Sequence, residues 1–229
     1  MKKIILTAVL SAASLGAFAQ GTIDVGNFLK GTFVQPIYSP NPSNTTVEQI
    51  GSPASSSYAG GGTPVGSTVY GGTALQAGYD MVFLYSTTGG TDPRSMTVGT
   101  TVPFQTAATP NARPSGTMAE LVGFSVPTAA GNTTINWAFG AFSTEGGTVT
   151  SWAQALAAFN GGADPNAQIG WGSTVTATLL AGNGNLAEPN TFSGWTSFSL
   201  MGEPVPEPST IALAGLGAAG LLLFRRRRK

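Results

Sequence analysis

The chain has no histidine and no cysteine in its 229 residues. That removes imidazole general bases, histidine-activated nucleophiles, thiol chemistry, zinc and iron–sulfur ligation by those side chains, and disulfide stapling. Charge is scarce as well. Only 9% of the residues are Asp, Glu, Lys or Arg, and the formal net charge of zero is a cancellation between regions. Residues 21–203 hold three cations, Lys30, Arg94 and Arg113, against nine carboxylates, a net charge of −6. Nucleic-acid binding by counterion release needs a basic surface, which an acidic, charge-poor body does not supply. The remaining cations gather at the two ends of the chain.

At the N-terminus, Met1-Lys2-Lys3 precedes an apolar run from Ile4 to Leu15, and Ala17-Phe18-Ala19 precedes Gln20. A cationic start, an apolar stretch too short to anchor, and small residues at −3 and −1 predict a secretory signal peptide over residues 1–19. Signal peptidase would cut after Ala19, with Ala17 as the other recognition residue. The mature chain would then begin with Gln20, and an N-terminal glutamine can cyclise.

At the C-terminus, Val205-Pro206-Glu207-Pro208-Ser209-Thr210 leads into Ile211 to Phe224 without one charge, followed by Arg225-Arg226-Arg227-Arg228-Lys229. As a helix, residues 211–224 would rise about 21 Å against a hydrocarbon core of about 30 Å. Ser209 and Thr210 lengthen the segment slightly, and the arginines can snorkel to the headgroups. The predicted transmembrane helix is therefore short, but its polarity is strong. Five terminal cations belong in the cytoplasm, which places everything before Ile211 outside. A signal peptide demands the same topology independently.

The segment 215–220, Gly-Leu-Gly-Ala-Ala-Gly, fits the dinucleotide-binding fingerprint in letters alone. It lacks the preceding strand and the acid about 20 residues downstream. Small residues inside a membrane helix serve close helix approach instead.

The tail as a whole resembles the PEP-CTERM sorting signal of Gram-negative bacteria, through Pro206-Glu207-Pro208, the short apolar helix and the arginine cluster in that order. The resemblance implies recognition by an exosortase, a membrane-embedded transpeptidase-like enzyme. It also implies transient anchoring in the inner membrane, processing near Pro206–Pro208, and delivery to the cell surface or exopolysaccharide matrix. A plain C-terminal anchor is the alternative reading. Residues 204–229 form the predicted sorting signal.

Residues 20–203 form the predicted exported domain. Within 21–203 stand 17 Ser, 27 Thr and 28 Gly, so polarity comes from hydroxyls rather than ions. Disordered segments combine low hydrophobicity with high charge, and this stretch has few charges and regularly spaced aromatics. Period-2 patterning predicts strands. Ile135, Trp137, Phe139 and Ala141 form one apolar face. Met118, Glu120, Val122, Phe124 and Val126 form another, and Ile169, Trp171, Ser173, Val175, Ala177 and Leu179 a third. Met81–Tyr85 is apolar throughout and reads as a central strand covered on both sides. Further strands are expected over Thr22–Phe28, Phe33–Tyr38, Thr97–Phe104 and Phe192–Leu200.

One helix is predicted, because Trp152, Ala155, Leu156 and Phe159 fall at helical spacing after the cap Ser151 and before Asn160-Gly161. Its apolar stripe should lie on one face or across an open end of the sheets. Residues 40–66, rich in Pro and Gly, read as an exposed loop with little regular structure. The fold expected is all-β, an antiparallel β-sandwich or jelly roll with one short helix. The layout also resembles a recurring type of exported PEP-CTERM protein with a Gly-Thr-Ile strand (Gly21–Ile23), a Trp-Ala-Gln-Ala helix (Trp152–Ala155) and a Gly-Trp-Gly segment (Gly170–Gly172). That resemblance implies no activity.

The carboxylates are scattered. Most sit in turns beside Gly or Pro, such as Asp92, Glu145, Asp164 and Glu188. Asp80 and Glu120 lie within strands and are expected on outer faces. No paired-carboxylate arrangement of the glycosidase kind is visible, so no catalytic residue and no cofactor is assigned. Asp164, Asn166 and Gln168, joined by Asp24 or Asp92, are too few oxygens to predict a calcium site, and a plain loop is the preferred reading. Among the tryptophans, Trp137, Trp152 and Trp171 share faces with core-type residues. Trp195 shares its face with Ser193, Ser197 and Ser199, and is the tryptophan expected in solvent as a tentative glycan contact. The sequence therefore predicts a non-enzymatic, exported structural or adhesive protein, with a glycan-binding module as the alternative.

Overall fold

The computed structural model describes residues 20–29, 33–54, 66–104, 114–162, 164, 166–181 and 194–202. The expected signal peptide and residues 203–229, including the membrane helix expected over 211–224, lie outside the described residues. Among the described residues no helix is long and apolar enough to cross a membrane.

Eleven strands and one α-helix make up the described fold, and every named strand pairing is antiparallel. The strands are β1 (Gln20–Val25), β2 (Phe28–Leu29), β3 (Phe33–Val34), β4 (Tyr79–Ser86), β5 (Thr97–Pro103), β6 (Leu121–Ala130) and β7 (Thr134–Ser143). The helix α1 (Trp152–Gly161) follows, then β8 (Gln168–Trp171), β9 (Val175–Thr178), β10 (Leu180–Ala181) and β11 (Met201–Gly202). The larger sheet runs β11-β8-β7-β4-β5, with β9 also on β7. A smaller sheet runs β10-β1-β6, and β2 pairs β3 as a short ribbon.

Strand β4 explains the layering. Its apolar run has no polar face, so both sides need cover. Met81, Phe83 and Tyr85 join a core with Ile23 and Val25 of β1, Val126 of β6 and Trp137 and Phe139 of β7. Phe83 and Phe124 meet edge to face at 5.5 Å, which brings the two sheets together on that side. Val82 and Leu84 point the other way, onto Trp152 and Ala155 of α1 with Ile169 and Phe142. The helix thus covers the outer face of the larger sheet. Ser151 caps it, accepting from Gln154 N at 3.3 Å, and Gly162 ends it at φ 61°, a conformation that favours glycine.

Where α1 crosses β7, the sheet needs a residue without a side chain. A Cβ on Gly140 would stand 2.8 Å from Trp152 and 2.9 Å from Val82. Gly140→Ala should therefore cost about 1–3 kcal/mol through overpacking, read as a lowered urea midpoint with the fold retained.

Two of the expected faces are broken by one extra residue each. Between Ile23 and Val25, β6 advances from Phe124 to Leu121, three residues against two, and Gly123 takes φ 68°. That bulge turns Val122 outward, 65% exposed, whereas Met118 and Val126 stay buried. Between β8 and β9, Trp171 faces Gly140 and Val175 faces Trp137, four residues against three. Ile169 and Trp171 consequently pack under the helix, while Val175, Ala177 and Leu179 line the core between the sheets. A one-residue slip moves every later side chain to the opposite face.

Three expected element bounds also change. The strand expected over Phe192–Leu200 is replaced, within 194–202, by single bridges at Phe198 and Ser199 and by β11. The strand expected over Phe33–Tyr38 shortens to β3. The loop expected at 40–66 is tied down over its described part, with bridges Asn41–Asn44, Ile50–Phe198 and Pro53–Thr68.

Candidate functional site

The segment leading to the C-terminal tail is stitched into the fold by residues 35–51, most of them within the loop expected to be exposed. Tyr38 N donates to Phe198 O at 3.0 Å, Leu200 N to Tyr38 O at 2.8 Å, Ser199 N to Gln49 O at 2.9 Å, and Gly202 N to Thr45 O at 2.7 Å. Side chains continue the seam. Ser197 Oγ donates to Gln35 Oε1 at 2.6 Å, and Ser199 Oγ accepts from Gln49 N at 3.0 Å. Tyr70 Oη stands 2.6 Å from Gly51 O and 2.7 Å from Ser197 O, and its ring stacks on Tyr38 at 4.0 Å. Buried hydroxyls and amides persist only where such partners meet them.

This seam corrects the expectation for Trp195. The tryptophan is 3% exposed and stands edge-on to Phe139 at 4.9 Å, so it offers no platform to a glycan. Its face carries serines because residues 35–51 lie over it and supply their hydrogen bonds, and Ser197 and Ser199 are fully buried. The hydroxyls on this face meet a polar loop rather than water.

Glu48 is the residue whose position in the seam the sequence did not reveal. It is partly buried, and its Oε1 accepts from Trp171 N at 2.6 Å. Burial outweighs that hydrogen bond and pushes its carboxyl up to about 8. Burial raises Tyr38 as well, and Tyr70 is raised by burial first and then by Tyr38 and Glu48 beside it. No apolar run marks residues 45–49, so spacing alone gave no signal for a buried acid there.

The other acids are dispersed. Asp24 lies buried in β1, within the strand expected there, and its Oδ1 accepts from Gly123 N at the bulge, at 2.6 Å. Asp80 is half-buried and burial raises its carboxyl; Glu120 is half-buried too. Asp92 pairs with Arg94 through two oxygens at 3.0 Å, and that hydrogen bonding holds its carboxyl below the usual range. Asp164 Oδ1 accepts from Asn166 N at 2.9 Å, which with a hydrogen bond shared with Glu145 lowers Asp164 and raises Glu145. Gln168 Oε1 accepts from Tyr79 Oη at 3.0 Å. Asp164, Asn166 and Gln168 stay near one end of the larger sheet. Asp92 lies at the opposite end and Asp24 on the other sheet, so these oxygens form no common site. Among the described residues no group of three acids is placed to hold a metal ion.

One tryptophan does reach the surface. Trp171 is half-buried on the helix-covered side, with its ring edge-on to Trp152 at 6.3 Å and the Arg94 guanidinium 5.5 Å from its centre. It packs against the core beneath the helix, as its face predicts, and leaves part of the ring open.

Ala17, Ala19, Val205, Pro206, Glu207, Pro208, Ser209, Thr210 and the arginines Arg225, Arg226, Arg227 and Arg228 lie outside the described residues. The described chain ends at Gly202 on β11, at the edge of the larger sheet. No curated protein and no solved structure matches the chain. A protein-family comparison does match its tail. Residues 204–228 match the PEP-CTERM protein-sorting motif, and the chain thereby carries the signature of an exported protein sorted by an exosortase through a C-terminal membrane-anchoring signal.

Proposed function

We propose that this is a non-enzymatic structural or adhesive protein of the cell surface or exopolysaccharide layer. Signal peptidase removes residues 1–19, and the helix over 211–224 then holds the chain in the inner membrane. Exosortase cuts near Pro206–Pro208, and a β-sandwich of residues 20–203 is delivered outside. The observation that carries this reading is the sorting motif at 204–228, beginning two residues after the last strand. The non-enzymatic part is supported by the dispersal of the acids. Asp24 and Glu48 are engaged by backbone N–H groups, and Asp92 by Arg94. Glu145 and Asp164, which share a hydrogen bond, lie on surface turns.

The intact mass of the protein recovered from the cell surface tests this. The expected mass begins at Gln20, less one ammonia where that glutamine has cyclised, and ends upstream of Ile211. Glu207→Ala should leave the arginine tail attached and the protein in the inner membrane. A surface form that retains Lys229 would end the processing reading.

A glycan-binding role remains the second reading, supported by Trp171 rather than Trp195. Its half-open ring, the Arg94 guanidinium, and the hydrogen-bonded Asn136 and Thr176 on β7 and β9 combine an aromatic surface with polar groups. Polysaccharide pull-down by the exported chain, lost in Trp171→Ala with the unfolding free energy lowered by less than about 2 kcal/mol, is the expected result under this reading.

A further inference from the structure

The processing point and the folded body are joined by very little chain. Gly202 is held by its N–H to Thr45 O and by pairing with Gln168. The residues just before it, Phe198 and Leu200, are fully buried, so the chain cannot be drawn out of the fold without opening the core. From Gly202 to Glu207 is five residues, a full reach of about 17 Å, and from Gly202 to Ile211 nine residues, about 31 Å. A folded body of about 180 residues has a radius of gyration of about 16 Å. A membrane-embedded enzyme gripping the chain at Glu207 therefore stands within one body radius of the fold. A tether several times longer would impose no such limit.

The register identifies the part of the fold that lies there. Gly202 pairs with Gln168, Ser143 pairs with Tyr79, and Tyr79 Oη bonds Gln168, so these four mark one end of the larger sheet. The turn after β7 closes the same end, with Thr144 N bonded to Gly78 O. Glu145 and Asp164 stand on the turns there. Arg94, the one cation among the described residues, lies at the opposite end, just before β5.

We propose that this end of the larger sheet, around Gly202, Gln168 and the 144–150 turn, is the face that seats against the exosortase while the tail is cut. The inference rests on the processing reading above and adds to it a docking surface and an orientation. The opposite end, with the Thr87–Thr91 loop, then points away from the membrane.

The absence of cysteine makes the test clean. Single-cysteine full-length chains, Thr148→Cys and Asn166→Cys at the proposed face and Thr87→Cys at the far end, all exposed positions, are coupled to a polyethylene-glycol maleimide. They are then offered to membranes containing exosortase. Coupling at 148 or 166 should slow tail removal at least tenfold, and coupling at 87 should leave it unchanged. A twelve-residue Gly/Ser insert after Gly202 should restore cutting of the coupled 148 and 166 chains. Equal cutting rates for all three coupled chains would overturn the docking face. Failure of the uncoupled wild-type chain to be cut would overturn the processing reading itself.

Discussion

Trp195→Ala should destabilise the protein by about 3–5 kcal/mol, the range for deleting a buried indole, and should leave polysaccharide pull-down by the folded fraction unchanged. The ring stands edge-on to Phe139, which in turn meets Trp137 edge-on at 5.3 Å, so the indole closes one side of an aromatic cluster between the sheets. Deleting it removes the apolar contact and leaves a cavity that the surrounding strands are too well paired to fill. It also undercuts the seam, since Ser197, two residues on, carries the bonds to Gln35. Urea unfolding of wild type, Trp195→Ala and Trp171→Ala separates the roles. A Trp195→Ala midpoint equal to that of wild type would mean that the ring is not part of the core.

What the sequence revealed and what it hid divide along a physical line. The tail was legible because a sorting signal is read as linear chain: its prolines, apolar run and arginines act in order and need no fold. Strands β4 and β7 were legible because they pair with each other without a break, so Ile135, Trp137, Phe139 and Ala141 do share one face. The helix was legible from its spacing, and its stripe does cover the outer face of the larger sheet. The faces of β6 and of β8 with β9 were misread for one reason. A bulge adds a single residue, and no composition change announces it, although Gly123 supplies the left-handed conformation that the first one needs. Trp195 and Glu48 were hidden for another reason. Both owe their burial to a loop of low hydrophobicity packing through hydrogen bonds, and neither period-2 nor period-3.6 patterning registers contacts of that kind.

Glu48 yields the second large effect, a stability that falls as the medium turns alkaline. Its folded carboxyl is raised to about 8 from an ordinary 4.5, so the folded state binds the proton more tightly than the unfolded chain does. The resulting stabilisation is complete below pH 4.5, declines as pH rises, and is gone above about pH 8. A shift of that size corresponds to roughly 5 kcal/mol, and solvent access to the partly open carboxyl reduces the expected loss between pH 5 and pH 8.5 to about 2–3 kcal/mol. The window is open to view because the chain lacks histidine and cysteine, whose ordinary titrations fall there or just above. Burial raises Asp80, and the hydrogen bond to Asp164 raises Glu145, so a control without Glu48 is needed. Glu48→Gln keeps an oxygen that can accept from Trp171 N–H and removes the ionisation. Its urea midpoint should lose most of the decline seen in wild type between pH 5 and 8.5, and should exceed the wild-type midpoint at pH 8.5. A variant whose midpoint falls as steeply as that of wild type would place the titrating group elsewhere and leave Glu48 charged in the seam at neutral pH.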